Sequence, residues 1–168
     1  PNVKALIAVH FGGAALPMLT ANGGGILDIC RRHDIRVVED AAHALPTRLD
    51  DRLVGSFGDV TCFSFYANKT MTTGEGGMVT TENDAIAERI RLMRLHGIDR
   101  DVWDRFTNKT VSWEYDVVAP GFKYNMPDLN AAVGLAQLER LQEMHQGRLR
   151  CAELYFDNLA SHAHLRMP

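Results

Sequence analysis

A lysine between two predicted strands has the residue type and setting for covalent chemistry. Lys69 follows an apolar run at residues 60–65, and three glycines separate it from the next strand-like run at residues 78–81. Glycine allows backbone to approach a ligand closely, so this turn suits a binding site. A primary amine placed there is a candidate nucleophile, and a solvated lysine in an ordinary turn is the alternative.

An aspartate ends another predicted strand. Asp40 follows the mainly apolar residues 35–39, so its carboxylate lies at the C-terminal end of that strand. Ligands of open α/β sheets bind at this edge. An amine and a carboxylate at the ends of neighbouring strands suit pyridoxal 5'-phosphate, which uses a lysine for its aldehyde and an acid for its pyridinium nitrogen. Lys69 and Asp40 are therefore predicted to hold opposite ends of one flat cofactor.

Four short motifs, met in order along the chain, resemble one enzyme family. They lie at residues 39–44, 63–69, 73–77 and 121–126. Together they resemble the DegT/DnrJ/EryC1/StrS family of sugar aminotransferases, and the resemblance extends over residues 4–159. Among its branches, the chain looks closest to the one that forms UDP-4-amino-4-deoxy-L-arabinose for lipid A modification.

The resemblance implies roles for residues of the first two motifs. Lys69 and Asp40 are the catalytic pair and also bind the cofactor. His43 is expected against the cofactor ring or its phenolic oxygen, since the family has histidine or glutamine there. Ser64 resembles the serine that hydrogen-bonds the phosphate. No metal ligand is implied.

The fourth motif departs from the family pattern. Many members have Gly-x-Asn-x-Arg in a segment that crosses to the partner subunit and touches its phosphate. Here Lys123 occupies the place of the asparagine and Asn125 that of the arginine, so which of them binds the phosphate stays open. The resemblance implies a homodimer with shared active sites.

The implied reaction moves an amino group from an amino acid, commonly glutamate, to a keto group of a nucleotide-linked sugar. A sugar dehydratase of the same fold is one alternative, but that relative has histidine in place of the lysine. A non-catalytic ligand-sensing or regulatory member is another alternative, which the intact Lys69, Asp40 and Ser64 disfavour. A dinucleotide-binding oxidoreductase is disfavoured because no Gly-x-Gly-x-x-Gly follows the first strand.

Composition bounds the class of protein. With 168 residues the chain is long enough for one hydrophobic core. A net charge of −3 gives no reason to expect nucleic acid or an anionic membrane as a partner. The cysteines Cys30, Cys62 and Cys151 lack metal-ligand spacing, and Cys62 is expected to be a buried free thiol. A reduced, cytoplasmic enzyme is predicted.

The fold class predicted is α/β. The resemblance implies a mostly parallel sheet with flanking helices, like the large domain of aspartate-aminotransferase-like (fold type I) enzymes, and incomplete in this chain. Residues 1–146 are expected to form the central part of that cofactor-binding domain. Residues 147–168 are expected to be a helical connection towards a C-terminal small domain.

The periodicity predicts the elements that position the site. Residues 3–10 read as a strand buried on both faces, and residues 26–33 as a helix with Ile26, Ile29 and Cys30 inward. The next helix is expected to start at Thr81 as N-cap and to end at Gly97.

Two further segments complete these predictions. Pro127 should open a helix whose apolar stripe is Leu129, Ala132, Val133, Ala136 and Leu141, with a break near Gly147. The long loop at residues 98–120 holds Trp103, Arg105 and Trp113 as candidate contacts to a substrate or a second subunit.

Overall fold

The structure is a computed structural model that describes residues 2–99 and 115–167. Its strands are β1 (Ala5–Val9), β2 (Arg36–Asp40), β3 (Arg48–Leu49), β4 (Arg52–Leu53), β5 (Val60–Ser64) and β6 (Gly77–Thr80). The main sheet has the order β1-β2-β5-β6, and β3 and β4 form a short hairpin that precedes β5 in the sequence. β1, β2 and β5 run parallel, and β6 is antiparallel to β5. The mostly parallel α/β sheet predicted from the sequence is confirmed.

Helices flank this sheet. Those of the described residues are α1 (Ile26–Arg32), α2 (Asp84–Met93), α3 (Asp128–Glu139) and α4 (Leu141–Leu159). Each lies in a segment where the sequence predicts helix. In α1, Leu27 and Cys30 are buried, whereas Ile29, predicted to face inward, is exposed. No helix within residues 2–99 and 115–167 is long and apolar enough to cross a membrane.

The main core lies on one face of the sheet only. It consists of Ala8, Met18, Leu27, Cys30, Val37 and Phe57. On β1 the side chains alternate, so Ala8 is buried while Ile7 is 68% exposed. Among the described residues, the prediction that β1 is buried on both faces is therefore wrong. Asp40 shares the exposed face, because it pairs in register with Val9.

The start of α2 differs from the prediction. Asn83, not Thr81, is the N-cap, and its side-chain oxygen accepts the N–H of Ile86 at 3.1 Å. Thr81 instead donates its hydroxyl to the Asp59 carbonyl at 2.7 Å, which ties the segment before the helix to the sheet. The helix ends at Met93, four residues before the predicted stop at Gly97. Gly97 has φ +70° and turns the chain after the helix, and its N–H donates to the Leu92 carbonyl at 3.1 Å.

Helix α3 buries a different face from the predicted apolar stripe. Pro127 is the N-cap of α3, so the helix starts at Asp128, one residue later than predicted. In the predicted apolar stripe, Leu129 is 83% exposed and Val133 is exposed too. The residue that α3 buries is Gly134. The prediction of an apolar packing face is wrong because this helix docks on the polar backbone of a loop, as described below.

The break between these helices also lies elsewhere. The chain leaves helical geometry at Arg140, with φ −101° and ψ 6°, and α4 then continues through Gly147 without interruption. The expected break near Gly147 is therefore wrong. Glycine is tolerated inside a helix at a cost of about 1 kcal/mol, so it does not by itself end one. The loop residues Trp103, Arg105 and Trp113 lie outside the described residues.

Candidate active site

A pocket of about 210 Å³ lies beyond the carboxyl ends of β2 and β5. Three of the six predicted site residues, His43, Ser64 and Lys69, line it, and so do Gly12 and Arg148. The pocket thus brings together an amine, a hydroxyl, an imidazole and a guanidinium. Its position at the carboxyl edge of the parallel strands agrees with the expected ligand side of an open α/β sheet.

A folded loop at residues 65–76 carries Lys69. The N–H of Lys69 bonds the carbonyl of Tyr66 at 3.0 Å, which closes a tight turn directly after β5. The N–H of Thr73 returns to the Phe65 carbonyl at 3.0 Å. Gly74 has φ +79°, a left-handed conformation that favours glycine. These turns hold Lys69 at the pocket rather than in an extended loop.

Asp40 ends β2 on the same face of the sheet as Ser64. It pairs in parallel register with Cys62, and Ser64 follows Cys62 at the two-residue period of a strand. Its carboxylate accepts the N–H of Ala42 at 3.1 Å. Burial and the nearby Asp40 charge raise the pKa of the Cys62 thiol. Asp40 itself does not line the pocket, although Ala42, two residues on, does.

His43 is held at the rim of the pocket by two contacts. Its Nδ1 accepts the N–H of Gly12 at 3.2 Å, so the proton of the neutral ring sits on Nε2. Its ring lies 6.0 Å from the ring of Phe11, measured between centroids. A histidine oriented in this way offers an N–H donor and a flat face to a ligand.

Ser64 has a hydroxyl group that can bind a ligand. The Oγ of Ser64 accepts the N–H of Tyr66 at 3.3 Å, which leaves its hydroxyl hydrogen without an acceptor among the described residues. Such a hydroxyl is available to donate to a ligand oxygen.

Cys62 makes no disulfide, as predicted for a free thiol. It is half-buried and therefore less buried than predicted.

Lys123 and Asn125 do not join this pocket within one chain. The Nζ of Lys123 donates to the side-chain oxygen of Asn125, and residue 123 bridges Leu95 through backbone. Neither lines the pocket of Lys69. Their expected contact with the phosphate of a partner subunit stays a prediction. In the described part of the chain, no group of three or more metal-ligating side chains is found.

Sequence reasoning missed a buried hydrogen-bonded pair directly beside Asp40. Glu39 and His10 have no exposed side-chain surface, and their Oε2 and Nε2 atoms lie 3.1 Å apart. The Nδ1 of His10 accepts the N–H of Leu16 at 3.1 Å, so Nε2 carries the proton donated to Glu39. The available signal was the strand period. Glu39 falls on the same face of β2 as buried Val37, where a charge needs partners.

Hydrogen bonds overcome the cost of burying the Glu39 charge. Burial alone would raise the pKa of Glu39, but the N–H groups of Gly58, Gly55 and Phe57 and the Thr61 hydroxyl together lower it below its ordinary value. Their distances to the carboxylate are 2.7, 3.2, 3.0 and 3.0 Å, respectively. The carboxylate therefore stays ionised and fastens the loop after β4 to β2, immediately before Asp40.

The chain is similar in sequence to proteins of a known family. A sequence model of the DegT/DnrJ/EryC1/StrS aminotransferase family matches residues 1–168. The spore coat polysaccharide biosynthesis protein SpsC of Bacillus subtilis is 46% identical over 155 residues, which are 92% of this chain and 38% of SpsC. The chain thus spans about two fifths of the length of the curated relatives it matches.

Solved structures of similar proteins agree with this assignment. The aminotransferase TlmJ from Streptoalloteichus hindustanus is 34% identical with a TM-score of 0.82, covering all of this chain and 42% of TlmJ. Spr1654 from Streptococcus pneumoniae in its PLP form is 30% identical with a TM-score of 0.75, covering 94% of this chain and 42% of Spr1654. DesI, solved with its TDP-sugar product, is 30% identical with a TM-score of 0.75, covering 96% of this chain and 36% of DesI. The matches across sequence and fold establish that this chain belongs to the DegT/DnrJ/EryC1/StrS aminotransferase family.

Proposed function

We propose that the full-length protein is a pyridoxal-phosphate-dependent aminotransferase that transfers an amino group from glutamate to a keto group of a nucleotide-linked sugar. The observation that carries this proposal is the shared pocket of Lys69, His43 and Ser64 beyond the strand ends. The PLP form of Spr1654 and the TDP-sugar product of DesI support the cofactor and the substrate class. A UDP-linked 4-keto-pentose is the substrate favoured by the sequence motifs.

The donor set fits this cofactor. Pyridoxal phosphate supplies an aldehyde that condenses with amines and a protonated ring that accepts electron density. Lys69 would hold the cofactor and then, once a donor amine displaces it, carry a proton between substrate and cofactor carbons. Ser64 would donate its free hydroxyl to the phosphate, and His43 would contact the ring. The Asp40 carboxylate, on the same face of the sheet as Ser64, would keep the ring nitrogen protonated.

A homodimer with shared sites is part of the proposal. Lys123 and Asn125 do not line the pocket of their own chain and hydrogen-bond each other, which leaves them available to act on a second subunit. Either side chain can donate to a phosphate oxygen, and Lys123 adds a full positive charge. Mixing inactive Lys69→Ala subunits with inactive Lys123→Ala,Asn125→Ala subunits should restore part of the activity. No recovery in a verified mixed dimer would refute shared sites.

Reductive trapping tests the role of Lys69. The full-length protein is incubated with pyridoxal phosphate, reduced with borohydride and mapped by peptide mass spectrometry. We expect the cofactor mass on Lys69 and none in Lys69→Ala, while Lys4→Ala serves as the matched control because Lys4 is exposed and far along the chain from the loop. Glutamate-dependent amination of a panel of nucleotide-linked keto-sugars then tests the reaction. Trapping elsewhere, or no amination of any sugar by the loaded protein, would overturn the proposal.

A further inference from the structure

Side chains of α3 hydrogen-bond the backbone of the loop that carries Lys69. The amide of Asn130 donates to the carbonyls of Thr73 and Glu75 at 2.7 and 3.2 Å. The side-chain oxygen of Gln137 accepts the N–H of Thr72 at 3.2 Å. Because a helix turns once every ~3.6 residues, Asn130 and Gln137 lie two turns apart on one side of α3.

A glycine between them lets the helix come close to the loop. Gly134 is buried, and a Cβ added there would lie 3.0 Å from the Cγ2 of Thr73. A larger residue would push α3 away and lengthen the bonds of its neighbours. The side of α3 that packs is therefore glycine flanked by amides, which explains why its leucines face outward.

The helix α4 continues the same contact beyond the break at Arg140. Arg148 donates from Nη2 to the carbonyls of Lys69 and Asn68 at 2.9 and 3.3 Å. Its side chain also lines the pocket. The side chain of Arg150, on the same helix, makes no hydrogen bond in the described residues, so Arg148 and not Arg150 contacts the loop.

These bonds satisfy backbone groups that the loop cannot satisfy alone. The turns of residues 65–76 use the carbonyls of Phe65 and Tyr66, and they leave the N–H of Thr72 and the carbonyl of Lys69 without a backbone partner in the described residues. Backbone groups in a packed loop need partners, and here α3 and α4 provide them. The loop is thus tied on both sides of Lys69.

We propose that Gln137 and Arg148 are positioning residues that fix the Lys69 loop and so set where the amine lies in the pocket. This inference rests on the proposed function, in which the Lys69 amine must hold the cofactor and later move a proton at a defined carbon. A displacement of about 1 Å at a reacting group costs up to about a hundredfold in rate. The two side chains act through the backbone and touch no reacting atom.

Hydrogen exchange in the cofactor-free full-length protein tests the loop directly. Gln137→Met removes the acceptor of the Thr72 N–H, whereas Gln137→Glu keeps one. Since one hydrogen bond contributes about 1 kcal/mol, we expect Thr72 to exchange about fivefold faster in Gln137→Met. Gln137→Glu should stay near wild type. Equal exchange in Gln137→Met and wild type would overturn the proposal.

Steady-state kinetics of the full-length enzyme with bound cofactor test whether the loop contacts position the Lys69 amine. Arg148→Ala should lower kcat by about ten- to a hundredfold, with little change in KM for the sugar. Arg148→Lys should recover part of that loss, because an ammonium can still donate to one carbonyl. The matched control Arg150→Ala should behave as wild type. Thermal unfolding of each variant verifies that it is folded.

The two proposals fail in different ways. If wild-type protein neither traps the cofactor nor aminates a sugar, the proposed function is refuted. The hydrogen-exchange result for the Lys69 loop remains valid, because it is measured without cofactor. If wild type is active and Arg148→Ala raises KM without lowering kcat, Arg148 binds substrate and the positioning role is refuted. Unchanged kinetics in Arg148→Ala would refute it as well.

Discussion

Replacing the buried Glu39 by glutamine should strongly destabilise the protein. The Oε1 atom of Glu39 accepts hydrogen bonds from Phe57, Gly58 and Thr61, and Oε2 accepts from His10 and Gly55. Glutamine has one acceptor oxygen and an amide group that only donates. If the glutamine oxygen takes the Oε1 position, its amide nitrogen takes the Oε2 position. There it would face the N–H donors of His10 and Gly55 and could accept from neither.

The structure sets the size of this effect. A hydrogen bond to a charged group contributes about 1.5–3 kcal/mol, so losing the two at Oε2 should cost about 3–6 kcal/mol of unfolding free energy. His10 cannot relieve the conflict by moving its proton, because its Nδ1 already accepts the N–H of Leu16 at 3.1 Å. A loss of that size is a large part of the roughly 5–15 kcal/mol that stabilises a typical protein.

Denaturant unfolding of the full-length protein, followed by circular dichroism, measures the loss. Glu153→Gln is the matched control, since Glu153 is exposed on α4 and its side chain makes no hydrogen bond or ion pair in the described residues. Exposed substitutions of this kind usually change stability by less than about 0.5 kcal/mol. If Glu39→Gln destabilises the protein no more than this control does, the hydrogen bonds at Oε2 do not make the stabilising contribution assigned to them.

The pH dependence of the unfolding free energy independently tests the stabilising role of the Glu39 carboxylate. The pKa of folded Glu39 lies below its ordinary value of 4.5, so its stabilisation is present above that pH and is lost as the pH falls through the folded pKa. Glutamine does not titrate. The difference in unfolding free energy between wild type and Glu39→Gln should therefore be full at neutral pH and narrow as the pH falls below about 4.5. A difference that stays constant over this range contradicts the assignment.

Three further substitutions or reactions test local features. Asn83→Ala removes the N-cap of α2 and should cost about 1 kcal/mol in unfolding free energy, with Asn83→Asp near wild type. Gly97→Ala should cost about 2 kcal/mol or more, because φ is +70° and the added methyl would collide with the carbonyl oxygen of Ala119; no loss of melting temperature would contradict this. Alkylation of Cys62 in the native protein should be slower at pH 8 than in the unfolded protein, since burial and the Asp40 charge raise its thiol pKa; equal rates would contradict the raised pKa.

Local sequence predicted the candidate chemistry and the main elements. Lys69 and Asp40 stand out because an amine and an acid follow strand-like runs, and strand ends of a parallel sheet meet at one edge. His43 and Ser64 are implied by the resemblance of their motifs to the family. The end of α2 at Met93 was not predicted, but the turn at Gly97 could be, because its left-handed conformation depends on the residue type at one position. Such features depend on near neighbours, and near neighbours are visible in the sequence.

Only the tertiary structure decided what each face packs against. Leu129 and Val133 look like a core stripe, yet Gly134 is the buried residue, because the partner of α3 is loop backbone rather than apolar side chains. Arg148 and Arg150 are equivalent by sequence, and only the folded chain brings Arg148 to the carbonyl of Lys69. Hydrogen bonds between residues distant in sequence produce no periodicity or spacing that could be recognised in the chain. The sequence alone therefore identifies candidate reactive groups, and the fold determines which residues hold them.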